Sequence, residues 1–448
     1  MDFVLRKRLK PFVFFWIAGI LLFFFSLWVT RLEVMPNNFS IVAVSLFIWL
    51  ADNFLWWRIR NEVNHVKGVW RYILWILFWV PLVFYISGLL YVIFVPFLQW
   101  SNNQKTWYFA ILLFFYGTRA LPALLLFIEW IVSLVLDVSR KREDRDSLKS
   151  DSRRRFLLNL GIVGAGFLLS GMLAGILRWA GSFRVHKVWF PVKKLHSAFH
   201  GYRIVQISDL HLGSWASVTE LDRAIDLILE QKPDLIVFTG DLVNYSTAEA
   251  LPFEAALRRL RAPDGVLAIL GNHDYGGYTR WPSAYAKRKN LADLKSFYQR
   301  IGWKLLNNEN VVIQREGGTI AIAGVENWGA HSRFPKRGNV LQALNGIEHI
   351  PVKILLSHDP THWQNIVIEK TPEILLTLSG HTHGMQFGIE TAGIRWSPAK
   401  YFYRHWAGLY ANPDQTQFLY VNRGLGNIGY PGRIGIYPEI TLIELLSD

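Results

Sequence analysis

The sequence of 448 residues contains no cysteine. A disulfide framework is therefore excluded, and so is any zinc or iron–sulfur site held by thiolates. No internal repeat or low-complexity stretch stands out. Lys and Arg number 48 against 34 Asp and Glu, which gives a formal charge of +14. The sequence has no basic helix with interleaved aromatic residues and no recognisable nucleic-acid-binding module. We therefore expect much of the excess positive charge to lie beside membrane segments rather than to bind nucleic acid.

Long apolar stretches dominate residues 1–136, which we interpret as a membrane region of about four transmembrane helices. Four stretches are long enough for a helix of about 20 residues to span a bilayer. They are Pro11–Val29, Phe39–Trp57, Trp70–Leu98 and Trp107–Leu136. Three ionisable residues, Asp52, Arg119 and Glu129, lie within them. Ionisable residues are costly in a membrane, so their presence needs an explanation. Three explanations stay open: Arg119 pairs with Glu129, Asp52 lines a polar interior, or the charges lie near helix ends and reach the membrane surface.

Basic residues predict the orientation of the chain, because cytoplasmic loops are enriched in Lys and Arg. They gather before the first stretch, after the second and after the fourth, and the loops between carry only Arg31 and Lys105. The N-terminus is therefore predicted to be cytoplasmic. With a fifth crossing, residues 181–448 would lie outside the cytoplasm, at an inner membrane facing the periplasm.

The fifth segment has more than one interpretation. A charged cytoplasmic linker or frayed helix is predicted over residues 137–155, and an apolar, Gly-rich helix over residues 156–180. The run Ser152-Arg153-Arg154-Arg155-Phe156-Leu157 resembles a twin-arginine export signal. The arginines are equally compatible with ordinary anchors of a fifth transmembrane helix, or with an amphipathic helix on the inner surface that would keep the remaining chain cytoplasmic.

Five short motifs follow apolar, β-branched runs in the second half of the chain. They are Asp209-Leu210-His211, Gly240-Asp241, Gly271-Asn272-His273-Asp274, Ser357-His358-Asp359 and Gly380-His381-Thr382-His383. Such runs predict buried strands of an α/β fold, whose carboxyl ends converge on one crevice. The motifs are therefore expected to form one cluster of His, Asp and Asn. This mixed nitrogen and oxygen set favours manganese, iron or zinc over magnesium or calcium.

The order of these motifs resembles the calcineurin-like metallophosphoesterases, in particular their membrane-associated branch. The resemblance covers about residues 200–448 and rests on ISDLHLG, TGDLV, LGNHDY, LSHDP and LSGHTHGMQ, together with the tail VNRGLGNIGYPGRIGIYPEITLIEL. It implies a four-layer α/β/β/α sandwich with two mixed sheets over residues 181–448. One departure is Met385, because that branch usually has Gly at this position.

The resemblance also implies roles for individual residues. One divalent metal would be held by Asp209, His211, Asp241 and His383. The other would be held by Asp241, Asn272, His358 and His381. A water shared by the two ions would become the hydroxide nucleophile. His273 would be the general acid with Asp274 as its orienting partner, and Arg423 and Arg433 are candidate substrate ligands that are equally compatible with pinning the C-terminal strands.

These features predict a membrane-anchored dimetal hydrolase of phosphate mono- or diesters or pyrophosphates, acting on a lipid-linked or nucleotide substrate. Two alternatives stay open. One is a cytoplasm-facing enzyme that resembles the UDP-diacylglucosamine pyrophosphohydrolases, and the other is a non-catalytic membrane sensor that only binds metal. The sequence does not indicate which proteins, if any, are its partners.

Overall fold

The computed structural model describes residues 19–22, 24–26, 38–139, 147–391 and 393–447. The chain divides into two units, residues 1–172 and 173–448. The first unit is helical and the second contains all the strands among the described residues.

Four long helices make up most of the described part of the first unit. They are α1 (Asn38–His65), α2 (Val69–Phe94), α3 (Asn102–Ser139) and α4 (Ser147–Ala174). Four candidate membrane spans lie in these helices and the turn after α4: Ile41–His65, Val69–Phe94, Asn103–Val135 and Ser152–Trp179. Ser101 and Gln104 cap the start of α3 by exchanging hydrogen bonds between side chain and backbone, which satisfies N–H groups that have no partner within the helix.

The predicted spans agree with these helices only in part. The second, third and fourth predicted stretches correspond to α1, α2 and α3. The first, Pro11–Val29, lies largely outside the described residues. Of the charged stretch at residues 137–155, residues 147–155 belong to helix α4, which begins at Ser147, and residues 140–146 lie outside the described residues. The charges at the start of α4 have acidic partners, so they do not prevent helix formation.

Ion pairs connect the helices of the first unit. Asp52 on α1, which is almost completely buried, pairs with Arg119 on α3 and accepts a hydrogen bond from Tyr116. Glu129 on α3 is also buried and pairs with Arg58 on α1. The pairing between Arg119 and Glu129 that was left open is therefore wrong.

Acidic residues of α1 and α3 also bind the start of α4. Glu129 accepts a hydrogen bond from Arg153 at 3.3 Å, and Glu62 accepts hydrogen bonds from Arg154 at 3.1 Å and Arg155 at 3.2 Å. The last turns of α1, the C-terminal half of α3 and the first turns of α4 therefore meet at one end of this unit. That arrangement is expected of helices that run alternately up and down.

Two six-stranded mixed sheets organise the second unit. The strands are β1 (Arg184–Val192), β2 (Tyr202–Ile207), β3 (Leu235–Phe238), β4 (Val266–Ala268), β5 (Lys304–Leu305), β6 (Glu309–Arg315), β7 (Gly318–Gly324), β8 (Lys353–Leu356), β9 (Leu376–Ser379), β10 (Ile389–Thr391), β11 (Ile394–Trp396), β12 (Gly408–Ala411), β13 (Phe418–Val421) and β14 (Glu439–Ser447). One sheet has the order β1-β14-β2-β3-β4-β5 and the other β12-β13-β9-β8-β7-β6. The central strands of both are parallel, and β10 and β11 form a separate hairpin.

Helices cover the outer face of each sheet. They are α5 (Val218–Glu230), α6 (Glu254–Leu257), α7 (Ala284–Arg300), α8 (Val340–Ala343) and α9 (Ile368–Lys370). Alternate residues of a strand point to opposite faces. Ile204 of β2 accordingly packs between the sheets with Ile354 of β8, whereas its neighbour Val205 packs in the cluster that contains Ile225 of α5. A third cluster covers the outer face of the second sheet. The predicted four-layer α/β/β/α sandwich is confirmed.

Candidate metal centre

The five motifs all lie directly after strands, at the carboxyl ends that the sequence predicts. Asp209 and His211 follow β2, and Asp241 follows β3. Asn272 follows β4, His358 follows β8, and the last pair follows β9. Because β2, β3 and β4 are parallel neighbours in one sheet, and β8 and β9 in the other, the loops from both sheets meet at one edge of the sandwich.

The backbone at these loops is strained. Five of the seven predicted ligands have a left-handed φ: Asp209 (52°), His211 (45°), Asp241 (61°), His381 (73°) and His383 (51°). Non-glycine residues rarely adopt this conformation, and such strain gathers at functional sites. Met385 has φ 51° as well, a conformation that glycine adopts more readily than other residues.

Two glycines of the motifs allow the ligand loops to approach each other. A Cβ atom on Gly271 would lie 2.2 Å from Oδ1 of Asp241. A Cβ atom on Gly380 would lie 2.3 Å from Oδ2 of Asp209. These separations are shorter than any non-bonded contact between such atoms, so a side chain at either position would displace a predicted ligand.

The buried ligand atoms form two groups. Asp209, His211 and His383 form the first, and Asp241, His358 and His381 form the second, with the donor atoms of each group within 4.8 Å of one another. In the first group, Nε2 of His383 lies 3.2 Å from Oδ1 of Asp209 and 3.1 Å from Nε2 of His211. Two imidazole nitrogens that face each other at this distance are well placed to share a cation.

Asp241 lies between the two groups. Its Oδ2 atom is 3.6 Å from Nε2 of His211 and 3.2 Å from Nε2 of His358. The same His358 nitrogen is 3.2 Å from Oδ1 of Asn272 and 3.2 Å from Nδ1 of His381. The structure therefore brings together all seven predicted ligands, with one carboxylate shared between the groups.

The electrostatics of this cluster favour a bound cation. Burial alone would lower the pKa of His358, but the carboxylates of Asp241 and Asp209 raise it to about 10. Burial would raise the pKa of Asp241, but His358 and other histidines hold it well below its usual range. Burial lowers the pKa of His211 to about 3 and that of His381 to about 4. The carboxylates thus require positive charge while these two imidazoles stay neutral, which is the form that binds metal.

The residues present fit two divalent metal ions. The donor set of carboxylate, imidazole and amide oxygen suits borderline divalent ions. The second nitrogen of two ligand rings is tied by a hydrogen bond, as metal-binding histidines commonly are: Nδ1 of His358 to the backbone oxygen of Thr239 at 2.7 Å, and Nε2 of His381 to the hydroxyl of Tyr403 at 2.9 Å. These contacts fix which nitrogen of each ring faces the cluster.

His273 lies beside the cluster and its ring is fixed by neighbours. Its Nδ1 lies 2.8 Å from the backbone oxygen of Asn244, and its ring stacks on Tyr278 with centroids 4.1 Å apart. Its backbone N–H donates to Oδ1 of Asp241 at 2.8 Å. Burial lowers the pKa of His273, and the Asp241 charge opposes this.

Asp274 has a different role from the one predicted. Its oxygens accept backbone N–H groups of Asp241 at 3.1 Å, Leu242 at 2.9 Å, Val243 at 3.3 Å and Gly271 at 2.9 Å. Within the described residues, these bonds hold two ligand loops together and none reaches the ring of His273. Burial raises the pKa of Asp274 to about 7, whereas the backbone donors favour its charged form. The expectation that Asp274 orients His273 is therefore corrected: the carbonyl of Asn244 takes that position.

Arg423 and Arg433 are buried and bonded inside the domain. Arg423 forms ion pairs with Glu439 and Glu390. Arg433 donates to the backbone oxygens of Arg423 at 2.9 Å, Gly424 at 2.9 Å and Gly426 at 2.6 Å. These contacts support the alternative that both arginines pin the C-terminal strands, although Nη2 of Arg433 also comes within 3.5 Å of Nδ1 of His383.

Two tyrosines at the site were missed by the sequence reasoning. Tyr403 bonds His381, and Tyr278 both stacks on His273 and accepts a hydrogen bond from Asn272 at 2.8 Å. Tyr278 is six residues from Asn272, but Tyr403 lies 20 residues after the last ligand. Neither belongs to a motif, so the sequence offers no signal beyond an aromatic residue in a loop.

Two family models match this chain. One, described as calcineurin-like phosphoesterase, matches residues 202–385. The other, described as probable calcineurin-like phosphoesterase, transmembrane domain, matches residues 37–180. The second match includes helix α4 and its basic residues, so the twin-arginine signal has no support, and these residues belong to the matched membrane domain.

Several curated proteins are similar to this chain. An uncharacterized metallophosphoesterase of Bacillus subtilis, YkuE, is 33% identical over 67% of this chain and 99% of its own length. A transmembrane protein with metallophosphoesterase domain of Danio rerio is 31% identical over 69% of this chain and 66% of its own length. A UDP-2,3-diacylglucosamine pyrophosphatase of Chlamydia trachomatis, LpxG, is 28% identical over 65% of this chain and 99% of its own length.

Proposed function

This chain belongs to the calcineurin-like phosphoesterases, and from that premise we propose that it hydrolyses a lipid-linked or nucleotide phosphate ester or pyrophosphate. It is a membrane-anchored metallophosphoesterase with a dimetal site. The proposal concerns its substrate, its metals, the roles of its residues and the side of the membrane on which it acts. The observation that carries it is the position of the Asp241 carboxylate between two groups of ligands.

The chain's own residues have separable roles in this proposal. The seven ligands would hold two divalent ions of manganese, iron or zinc, which when bound would acidify a water and neutralise charge on the phosphate. His273 donates a proton to the leaving oxygen. With its Nδ1 engaged by Asn244, the Nε2 atom is the one available for this transfer. Tyr278 stacks on one face of the His273 ring and holds its orientation.

Substitution of the shared carboxylate tests this assignment. We expect the full-length protein, purified in detergent and loaded with manganese, to hydrolyse a chromogenic aryl phosphate or phosphodiester. Asp241→Asn removes the charge shared by both groups but keeps the size of the side chain, so activity should be lost and bound metal should fall below two ions per chain. Full activity of this variant would refute the dimetal assignment. Loaded protein that hydrolyses none of these substrates would favour the non-catalytic sensor.

We further propose that the catalytic unit faces away from the cytoplasm. Arg58 and Arg153 meet at Glu129, at the end of the helical unit where α4 begins. Because basic residues favour the cytoplasmic side, α4 starts there and its C-terminal end leads out of the cytoplasm. Alkaline phosphatase fused to the C-terminus should therefore be active, and a cytoplasmic fluorescent reporter should be dim. The reverse pattern would contradict this orientation.

The relative from Chlamydia supports a second candidate, a UDP-diacylglucosamine pyrophosphatase. Its name implies a sugar nucleotide that carries acyl chains, which combines the two substrate classes proposed here. This candidate requires the catalytic unit to face the cytoplasm, where such a nucleotide is found. An inactive alkaline phosphatase fusion with a bright fluorescent reporter, together with cleavage of that substrate by the purified protein, would favour this candidate over an outward-facing enzyme.

A further inference from the structure

The hairpin of β10 and β11 follows directly after the last metal-binding motif. In its antiparallel register Ile389 lies opposite Trp396, Thr391 opposite Ile394, and Glu390 opposite Arg395. Residues that lie opposite each other share a face, and alternate residues point to opposite faces. One face of the hairpin is therefore largely apolar and the other carries a charged pair.

The charged face is the one that the domain binds. Glu390 pairs with the buried Arg423. The guanidinium of Arg395 lies 5.6 Å from the centroid of the Trp406 ring and 5.7 Å from that of Tyr410. On the apolar face, in contrast, Ile389 is 51% and Ile394 59% exposed, while Trp396 is half-buried against Phe387. This is the reverse of an ordinary surface strand, which buries its apolar face.

Further exposed apolar residues lie close to the hairpin in sequence. Tyr401 ends the short turn Pro398–Tyr401 and Phe402 follows it, and they are 70% and 62% exposed. The turn is anchored by Ala399, which is buried in a small cluster with Trp406 and Ile436. Met385, two residues after a metal ligand, is 43% exposed. We call the following five residues the apolar rim: Met385, Ile389, Ile394, Tyr401 and Phe402.

The apolar rim is unusual within its own unit. Exposed apolar residues that gather in one region of a soluble domain mark binding surfaces. Five occur within the 18 residues from Met385 to Phe402, whereas others such as Leu251 and Leu341 are far apart in the chain. Because Glu390 is held by the buried Arg423, the outward direction of its neighbour Ile389 is fixed by the fold.

We propose that the apolar rim docks on a lipid bilayer with anionic headgroups. Lys400 and Arg404 are exposed in the same segment, and its single acidic residue, Glu390, is already paired. Aromatic and aliphatic side chains beside basic ones are typical of surfaces that lie at the headgroup level. The membrane region keeps a bilayer within reach. If the proposed function also holds, docking would bring the dimetal site to phosphate groups of lipids rather than to free nucleotides.

The absence of native cysteine allows a direct test in the full-length chain. Single variants Ile394→Cys and Phe402→Cys would carry a nitroxide label, with Leu251→Cys and Leu341→Cys as controls that are 51% and 57% exposed in the native protein. Each labelled protein is reconstituted in vesicles of phosphatidylcholine with phosphatidylglycerol. Collision rates with oxygen, which partitions into lipid, and with a water-soluble nickel chelate are then measured. We expect the two rim labels to gain oxygen collisions and lose nickel collisions relative to the controls.

Two results would overturn the proposal. Rim labels with the same nickel accessibility as the controls would show that the surface stays in water. Spin–spin broadening that disappears on dilution with unlabelled protein would show that a second copy covers the rim instead.

An activity measurement separates this proposal from the proposed function. Ile394→Asp should slow hydrolysis of a phosphate lipid in vesicles while a water-soluble aryl phosphate is cleaved at the native rate. If Ile394→Asp cleaves the phosphate lipid in vesicles at the native rate as well, the result would count against docking. If neither substrate is cleaved by the native protein, the proposed function fails, and the collision measurement still decides the docking.

Discussion

Replacing His273 by Ala tests whether this residue protonates the leaving group or binds metal. The contact between residue 273 and the shared ligand is the backbone N–H to Oδ1 of Asp241 at 2.8 Å, which alanine keeps. The substitution removes the hydrogen bond to Asn244, the stacking on Tyr278 and an edge contact with the ring of His211, but no ligand atom. Bound metal should therefore stay near two ions per chain. Turnover should fall by about 10²–10⁴, the usual contribution of a general acid.

The dependence on the leaving group makes this prediction specific. An acidic phenol leaves without protonation, so His273→Ala should slow its release far less than that of an aliphatic alcohol. Rates are measured on a series of phosphodiesters with one constant group, and metal content is measured by mass spectrometry on the same samples. Asn272→Ala is the matched control, since it removes a ligand from the same loop and should lower metal content. Metal loss in His273→Ala, or an equal loss of rate for every leaving group, would refute the assignment.

Three further outcomes are expected. Tyr403→Phe should weaken binding of one ion by about 10–100-fold in a metal titration, because it removes the partner that orients the ring of His381. Burial lowers the pKa of His362 from 6.5 to about 4, so between these pH values the unfolded state binds more protons than the folded state. The contribution of His362 to stability is therefore fully present above pH 6.5. It is lost as the pH is lowered towards 4, which reduces the free energy of unfolding by up to about 3 kcal/mol. The melting temperature of the catalytic unit should therefore depend less on pH in His362→Asn than in the native protein. Changing Arg153 and Arg154 together to Lys keeps both charges, so membrane insertion and the activity of the C-terminal reporter should stay intact. Failure of export in this variant would instead support a twin-arginine signal.

The positions of the ligand residues were predictable from local sequence, whereas their assignment to two metals came from the family resemblance. An apolar run forms a buried strand, a polar residue ends it, and parallel strands bring their ends to one edge. The positions of Asp209, Asn272 and His358 follow from this rule without knowledge of side-chain contacts. The two mixed sheets, in contrast, were known only from the family resemblance, because pairings such as β14 between β1 and β2 join segments far apart in the chain.

The second layer of the site could not be predicted, because it depends on packing between distant segments. Asp274 is adjacent to His273 in sequence, yet its carboxylate turns away to accept four backbone N–H groups. Arg423 seemed available for substrate because the sequence does not show that Glu390 and Glu439 lie beside it. Adjacency in sequence sets where a backbone goes, but a strand or tight turn sends neighbouring side chains in different directions.

The basic run at the start of α4 shows how one set of residues satisfies two hypotheses until their partners are known. In the sequence alone, Arg153 and Arg154 fit an export signal as well as they fit the basic anchor of a transmembrane helix. In the structure they bind Glu129 and Glu62, and Glu129 also binds Arg58. A buried carboxylate requires positive charge beside it, and if Arg153 were removed Glu129 would keep Arg58 alone. The buried Glu129 therefore gives Arg153 a structural reason to be present that is independent of any export route, and Glu62 gives one to Arg154.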